Sequence, residues 1–153
     1  MSLMRTRLCG LIIAASGAVA AVPASAGAPQ ILAGSCATNT SYAGTTNECL
    51  GPQATPELRF TSAGPQFSYS VTITASPMHC SRVGLHVFSY DLSHHIAGTG
   101  LLSPGQSETI SLGSGYAAGL QIAKVKAFGW IEDSGCNRGF LQSWSATATV
   151  APQ

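Results

Sequence analysis

The chain has 153 residues, of which 45% are hydrophobic and only 8% charged, with seven Lys and Arg against six Asp and Glu. That length fits one domain. With no basic run and almost no net charge, it carries no electrostatic footprint for a nucleic acid or an anionic membrane surface.

The N-terminus reads as an export signal. Arg5 and Arg7 precede an apolar run over residues 8–22, and Pro23-Ala24-Ser25-Ala26 supplies small residues at the −3 and −1 positions of a cleavage site. The predicted cut follows Ala26. A retained anchor would need roughly 20 consecutive apolar residues. The expected mature protein is therefore secreted or periplasmic, with no membrane attachment, and Cys9 leaves with the signal. Cys36, Cys49, Cys80 and Cys136 remain. An even number of cysteines in an exported chain implies disulfides. The expected pairs are Cys36–Cys49 and Cys80–Cys136, each contributing ~2–4 kcal/mol by restricting the unfolded chain.

Residues 27–56 read as an irregular, disulfide-tied lead-in with room for one strand. Residues 58–61 (Leu-Arg-Phe-Thr) are the first clear strand. Residues 67–74 then alternate apolar and polar without error, the period of a strand with one face buried, and Pro77 stops them. Val83, Leu85 and Val87 set a third alternation, which ends near Tyr90 and Asp91. A Pro104-Gly105 turn introduces another strand at 107–112. Residues 140–150 close the chain, with Trp144, Ala146, Ala148 and Val150 on one face.

Residues 120–131 are ambiguous. Leu120 and Ile122 have one parity; Val125, Ala127, Gly129 and Ile131 have the other. Either a β-bulge near Ala123 and Lys124 exchanges the faces, or the face carrying Lys124, Lys126, Phe128 and Trp130 is the buried one. Short strands at this spacing predict a single antiparallel β-sandwich over residues 57–153, immunoglobulin-like in general shape, following the signal (1–26) and the lead-in (27–56).

Chemistry-bearing residues are few. His79, His86, His94 and His95 fall within seventeen positions, and His86, His94 and His95 are the candidate metal ligands. Their spacing does not make them converge, so no copper or zinc, and no other cofactor, is expected. Ser, Asp91 and His94 can be assembled into a triad on paper, but no nucleophile-elbow motif supports a hydrolase. The Gly98-Thr99-Gly100 and Gly113-Ser114-Gly115 patches read as turns. If the strands carrying His86, Phe88 and Tyr90 and carrying Lys126, Phe128 and Trp130 are neighbours, these six side chains share one face, of the kind that stacks on sugars or grips a protein. The competing reading makes Phe128 and Trp130 ordinary core. The expectation is a secreted, non-enzymatic binding module or inhibitor with an extracellular protein or carbohydrate partner; a His-based metal protein and a small hydrolase are the alternatives.

Overall fold

The computed structural model describes residues 25–35, 46–48, 55–79, 82–130 and 143–153. Nine strands are present among them: β1 (Gln30–Ser35), β2 (Thr46–Glu48), β3 (Glu57–Ser62), β4 (Tyr69–Ala75), β5 (Val83–Phe88), β6 (His95–Gly98), β7 (Ser107–Gly113), β8 (Gly119–Trp130) and β9 (Ser143–Pro152). Residues 1–24 of the expected signal and all four cysteines of the expected disulfides lie outside the described residues.

Two antiparallel sheets face each other. One has the order β1-β9-β4-β7; the other has β2-β8-β5-β6, with β3 also on β8. β3 and β2 share one edge of β8 in tandem, β3 along Gly119 to Lys124 and β2 along Phe128 to Trp130. The expected sandwich is present, but the immunoglobulin-like resemblance does not extend to strand order. Here the first strand pairs with the last, and β4 lies between β9 and β7. With β2 set aside, this is the eight-stranded double Greek key of a jelly roll. The lead-in is part of it: β1 is an edge strand whose Leu32 is buried in the core.

The alternation seen in the sequence is what builds the core. Tyr69, Val71, Ile73 and Ala75 of β4 point inward, and so do Val83, Leu85 and Val87 of β5. Trp144, Ala146, Ala148 and Val150 of β9 stand beside the β4 residues in the same sheet and face those of β5. Burying each large aliphatic side chain contributes ~1.5–3 kcal/mol relative to exposure. At one end, Phe60, Tyr69 and Tyr116 close the sandwich with ring centroids 5.1–6.1 Å apart. The Tyr116 hydroxyl donates to the Leu112 carbonyl at 2.6 Å, and burial pushes its pKa up.

Over residues 120–128 neither reading holds; the Trp130 side chain and Ile131 lie outside the described residues. β8 runs against β3 and β5 without a register shift, so there is no bulge at Ala123 and Lys124. Ala123, Val125 and Ala127 face the core throughout, and Lys124, Lys126 and Phe128 lie half-buried on the outer face. Leu120, 61% exposed, is an apolar residue at an outward position, and it imitates a change of phase. Gly98 is likewise not a turn residue but the last residue of β6, opposite His86.

Where strands run out, side chains continue the hydrogen bonding. Pro77 cannot donate to a ladder, and just beyond it the His79 imidazole takes over: its Nε2 accepts the Ser145 N–H at 3.0 Å. Partial burial lowers the His79 pKa below its usual 6.5, keeping the ring neutral and able to accept. This stabilisation is complete above pH 6.5 and lost as pH falls through the lower folded-state value. His79→Ala is expected to cost about 0.5–1.5 kcal/mol at pH 7.5. Chemical denaturation from pH 8 to 5 should show a smaller loss of stability on acidification in His79→Ala and His79→Gln than in the parent chain.

Candidate functional site

β5 and β8 are neighbours, and their register sets the outward face of the five-stranded sheet. His86 lies opposite Lys126, Phe88 opposite Lys124, and Gly84 opposite Phe128. On the far side of β5, His86 lies opposite Gly98 and Phe88 opposite His95. Phe128 is thus not core. The core positions of β8 are filled by small residues, which leaves the ring to the outside. The side chain of Trp130 lies outside the described residues.

The rings lie on glycines. A Cβ at Gly84 would stand 2.1 Å from the Phe128 ring, and one at Gly98 would stand 2.3 Å from the His86 ring. Each ring therefore leans over the neighbouring strand and covers backbone that any other residue would hold it away from, a close approach that only glycine permits. The rings also meet one another. The His86 centroid is 4.6 Å from Phe128 and 4.8 Å from His95, and Phe88 lies 5.1 Å from His95, with the planes tilted 60–67°. Such contacts contribute ~0.5–1.5 kcal/mol each beyond area burial. The result is a continuous tilted pavement across β8, β5 and β6.

Ammonium groups flank it. Lys126 Nζ sits 4.9 Å from the Phe88 centroid, and Lys124 Nζ 5.0 Å from that of Tyr90. Lys124 also meets the Glu57 carboxylate at 3.2 Å, and Arg59 Nε donates to the same carboxyl at 2.9 Å. These two partners, Arg59 first, hold the Glu57 pKa below its ordinary value.

Tyr90, 59% exposed, belongs to a turn built around Asp91. The hydroxyls of Ser89 and Ser93 and the Ser93 N–H all donate to the Asp91 carboxylate, and its pKa is lowered to about 2, first by the Ser89 hydroxyl. The His94 backbone N–H donates to the Ser89 hydroxyl. Ser89, Asp91 and His94 thus meet through turn-forming contacts: the histidine engages the serine by its backbone, not by its imidazole. His86 and His95 converge while His94 stands exposed, and among the described residues no group of three or more His, Cys, Asp or Glu could hold a metal ion. A shallow cavity of about 130 Å³, lined by Ser25, Gly27, Phe60, Thr61, Tyr69, Val150 and Pro152, offers no carboxylate, imidazole or thiol.

The other sheet turns a different surface outward. Thr72 and Thr109 share a hydrogen bond at 2.8 Å, as do Thr74 and Ser107 at 2.7 Å, and Thr147 and Thr149 continue the rows on β9. Hydroxyls and methyls fill this face where rings and ammoniums fill the first.

Gly84 provides a direct check on the pavement. In Gly84→Ala the new methyl must push Phe128 off its seat, while the backbone, which has ordinary strand geometry, stays in place. Expected outcomes are a loss of the ring-current shift on the Gly84 backbone proton signals of the parent, displaced Phe128 ring resonances, and a stability change within about 1 kcal/mol.

The chain matches no protein-family model and no curated protein sequence. Among solved structures it is similar to chains of infectious bursal disease virus. The match to the Gx strain has 15% identity and a TM-score of 0.31, covering 96% of this chain and 37% of that one. The match to the Gt strain has 13% identity and a TM-score of 0.30, with 93% and 36% covered. The match to the T13 viral particle of the same virus has 11% identity and a TM-score of 0.32, with 92% and 35% covered. The chain spans little more than a third of the length of these chains. The jelly-roll assignment rests on the strand order itself.

Proposed function

We propose that the chain is an exported binding module that holds a carbohydrate on the outward face of its five-stranded sheet. The observation that carries this reading is the seating of Phe128 and His86 on Gly84 and Gly98. Rings laid over a sheet in this way present a broad apolar surface bordered by hydrogen-bonding groups, which matches the faces of a pyranose. An ordinary outward sheet face would be polar. A protein partner would use the same rings as anchors.

Export and oxidation are part of the proposal. What supports them is the sequence: a cut after Ala26 leaves an even number of cysteines, Cys36, Cys49, Cys80 and Cys136, as an oxidising compartment favours. N-terminal sequencing of the protein recovered outside the cytoplasm should begin at Gly27. Peptide mapping without reductant should give Cys36–Cys49 and Cys80–Cys136 fragments; free thiols at these positions would count against the compartment.

The binding reading is tested with immobilised polysaccharides of several classes. Retention of the parent chain on at least one of them, weakened about tenfold or more in Phe128→Ala with unfolding temperature nearly unchanged, is the expected result, since tenfold corresponds to ~1.4 kcal/mol, one well-made ring contact. Retention that is indifferent to Phe128→Ala would remove the pavement from the argument.

A further inference from the structure

The two sides of β8 are not covered to the same extent. On one side β3 lies along Gly119 to Lys124; on the other, β5 covers only Lys124 to Gly129, and Phe88 is its last residue. Beyond Phe88 the chain turns away toward β6, with the Ser89 N–H on the His94 carbonyl. The direction of each β8 peptide group follows from bonds already made. The Val125 N–H donates to the Pro56 carbonyl, and the N–H and C=O of Arg59, the register partner of Ile122, are both taken by the Gln30 amide. Hydrogen-bonded and non-bonded pairs alternate along an antiparallel ladder. Gln121 and Ala123 therefore bond β3, while Leu120 and Ile122 turn their N–H and C=O to the side that β5 has left. Among the described residues nothing pairs with these groups there.

We infer that this stretch is a pairing edge for a second copy of the chain, laid antiparallel about a two-fold axis through Gln121. The stretch is complementary to itself, as a two-fold contact requires. With Gln121 opposite its own counterpart, Leu120 of each copy faces Ile122 of the other. Each such pair exchanges both backbone bonds, so every open N–H and C=O of the stretch finds a partner. The side chains agree with the backbone. Leu120, 61% exposed, and the half-buried Ile122 both point outward, so each pair brings two aliphatic side chains together, with Cβ atoms about 4.5–5.5 Å apart. The lengths agree too. A partner can follow β8 only from Gly119 to Ala123 before it meets β5, and β8 itself begins at Gly119, which it enters through a bend at Ala118 with a Gly119 φ of +112°. Exposed edges are commonly guarded by charge, proline or a bulge. β3 carries Glu57 and Arg59, and β2 carries Glu48, but residues 119–123 (Gly-Leu-Gln-Ile-Ala) carry no such guard. The axis stands perpendicular to the sheet, so the outward faces of both copies come to the same side, whatever that face binds. A contact this short falls below the roughly 1,200 Å² of stable interfaces, and the dimer is accordingly weak.

The test follows the full mature chain by sedimentation and by NMR amide exchange, from about 10 µM to about 1 mM. A reversible monomer–dimer equilibrium is expected, in which the Leu120 and Ile122 amides gain protection of about threefold or more with concentration. The Gln121 and Ala123 amides should be protected throughout, because β3 holds them. Leu120→Lys sets an ammonium against Ile122 of the other copy and is expected to weaken the dimer about tenfold or more. The concentration series on the parent chain stands whether or not the variant folds. A monomer at every concentration would overturn the inference, as would a dimer whose Leu120 and Ile122 amides stay unprotected. Full protection of both amides in the dilute monomer would overturn it as well, by showing the edge already covered from within the chain.

Discussion

Every backbone N–H and C=O taken out of water needs a partner, and in a chain cut this often by proline and glycine the strands alone cannot supply them all. The sandwich meets the demand with side chains that imitate peptide groups. The Gln30 amide bonds both the N–H and the C=O of Arg59, joining β1 of one sheet to β3 of the other. The Thr99 hydroxyl accepts the Leu85 N–H at 2.9 Å, where the pairing of β6 with β5 ends. A Glu108 oxygen accepts the Gly100 N–H at 3.0 Å, bridging from β7 toward the end of β6. His79 does the same for Ser145. Two of these bonds lie across the lateral openings between the sheets, where a sandwich is otherwise least protected.

With edges closed in this way, the two outer surfaces can diverge. Both sheets use the same period-2 pattern and send similar small and branched residues inward. One then spends its outward positions on threonine and serine, whose branched or hydroxylic side chains suit strands and pair across them. The other spends them on rings, and places glycine beside two of them, Phe128 and His86. Glycine inside a strand weakens it. The rings lying across Gly84 and Gly98 replace the side-chain contacts those positions lack, so local weakness and surface chemistry have one origin.

Much of the fold was legible because the alternation is so regular. The tracts around Val71, Leu85 and Ala148 each became a strand with the expected face inward, and the tract around Ile110 became the expected strand. The strand order was not legible, since the pairing of first strand with last is a matter of long-range contacts that period alone does not encode. β1 and β6 were missed or undervalued because four to six residues, flanked by Pro29 or by the adjacent histidines, carry too little pattern. β8 misled for a different reason. Its inward residues are alanines and a valine, its outward ones include Leu120, Ile122 and Phe128, and the hydrophobic signal is therefore stronger on the wrong side. The grouping of His86, Phe88 and Tyr90 with Lys126 and Phe128 was visible once the two strands were taken as neighbours. The part played by Gly84 and Gly98 was hidden, because a glycine's meaning lies in what covers it.

The pairing of β1 with β9 bears on how the chain must come together. Leu32 has Ala146 as its register partner, and the Gly27 N–H reaches the Val150 carbonyl at 2.8 Å. The four-stranded sheet therefore cannot close until β9 has emerged, and loop-closure entropy must be met before these contacts give anything back. Through that interval β4 and β7 stand as an incomplete pair with an open edge. Folding by this route is slow, because the first strand of the sandwich waits for the ninth.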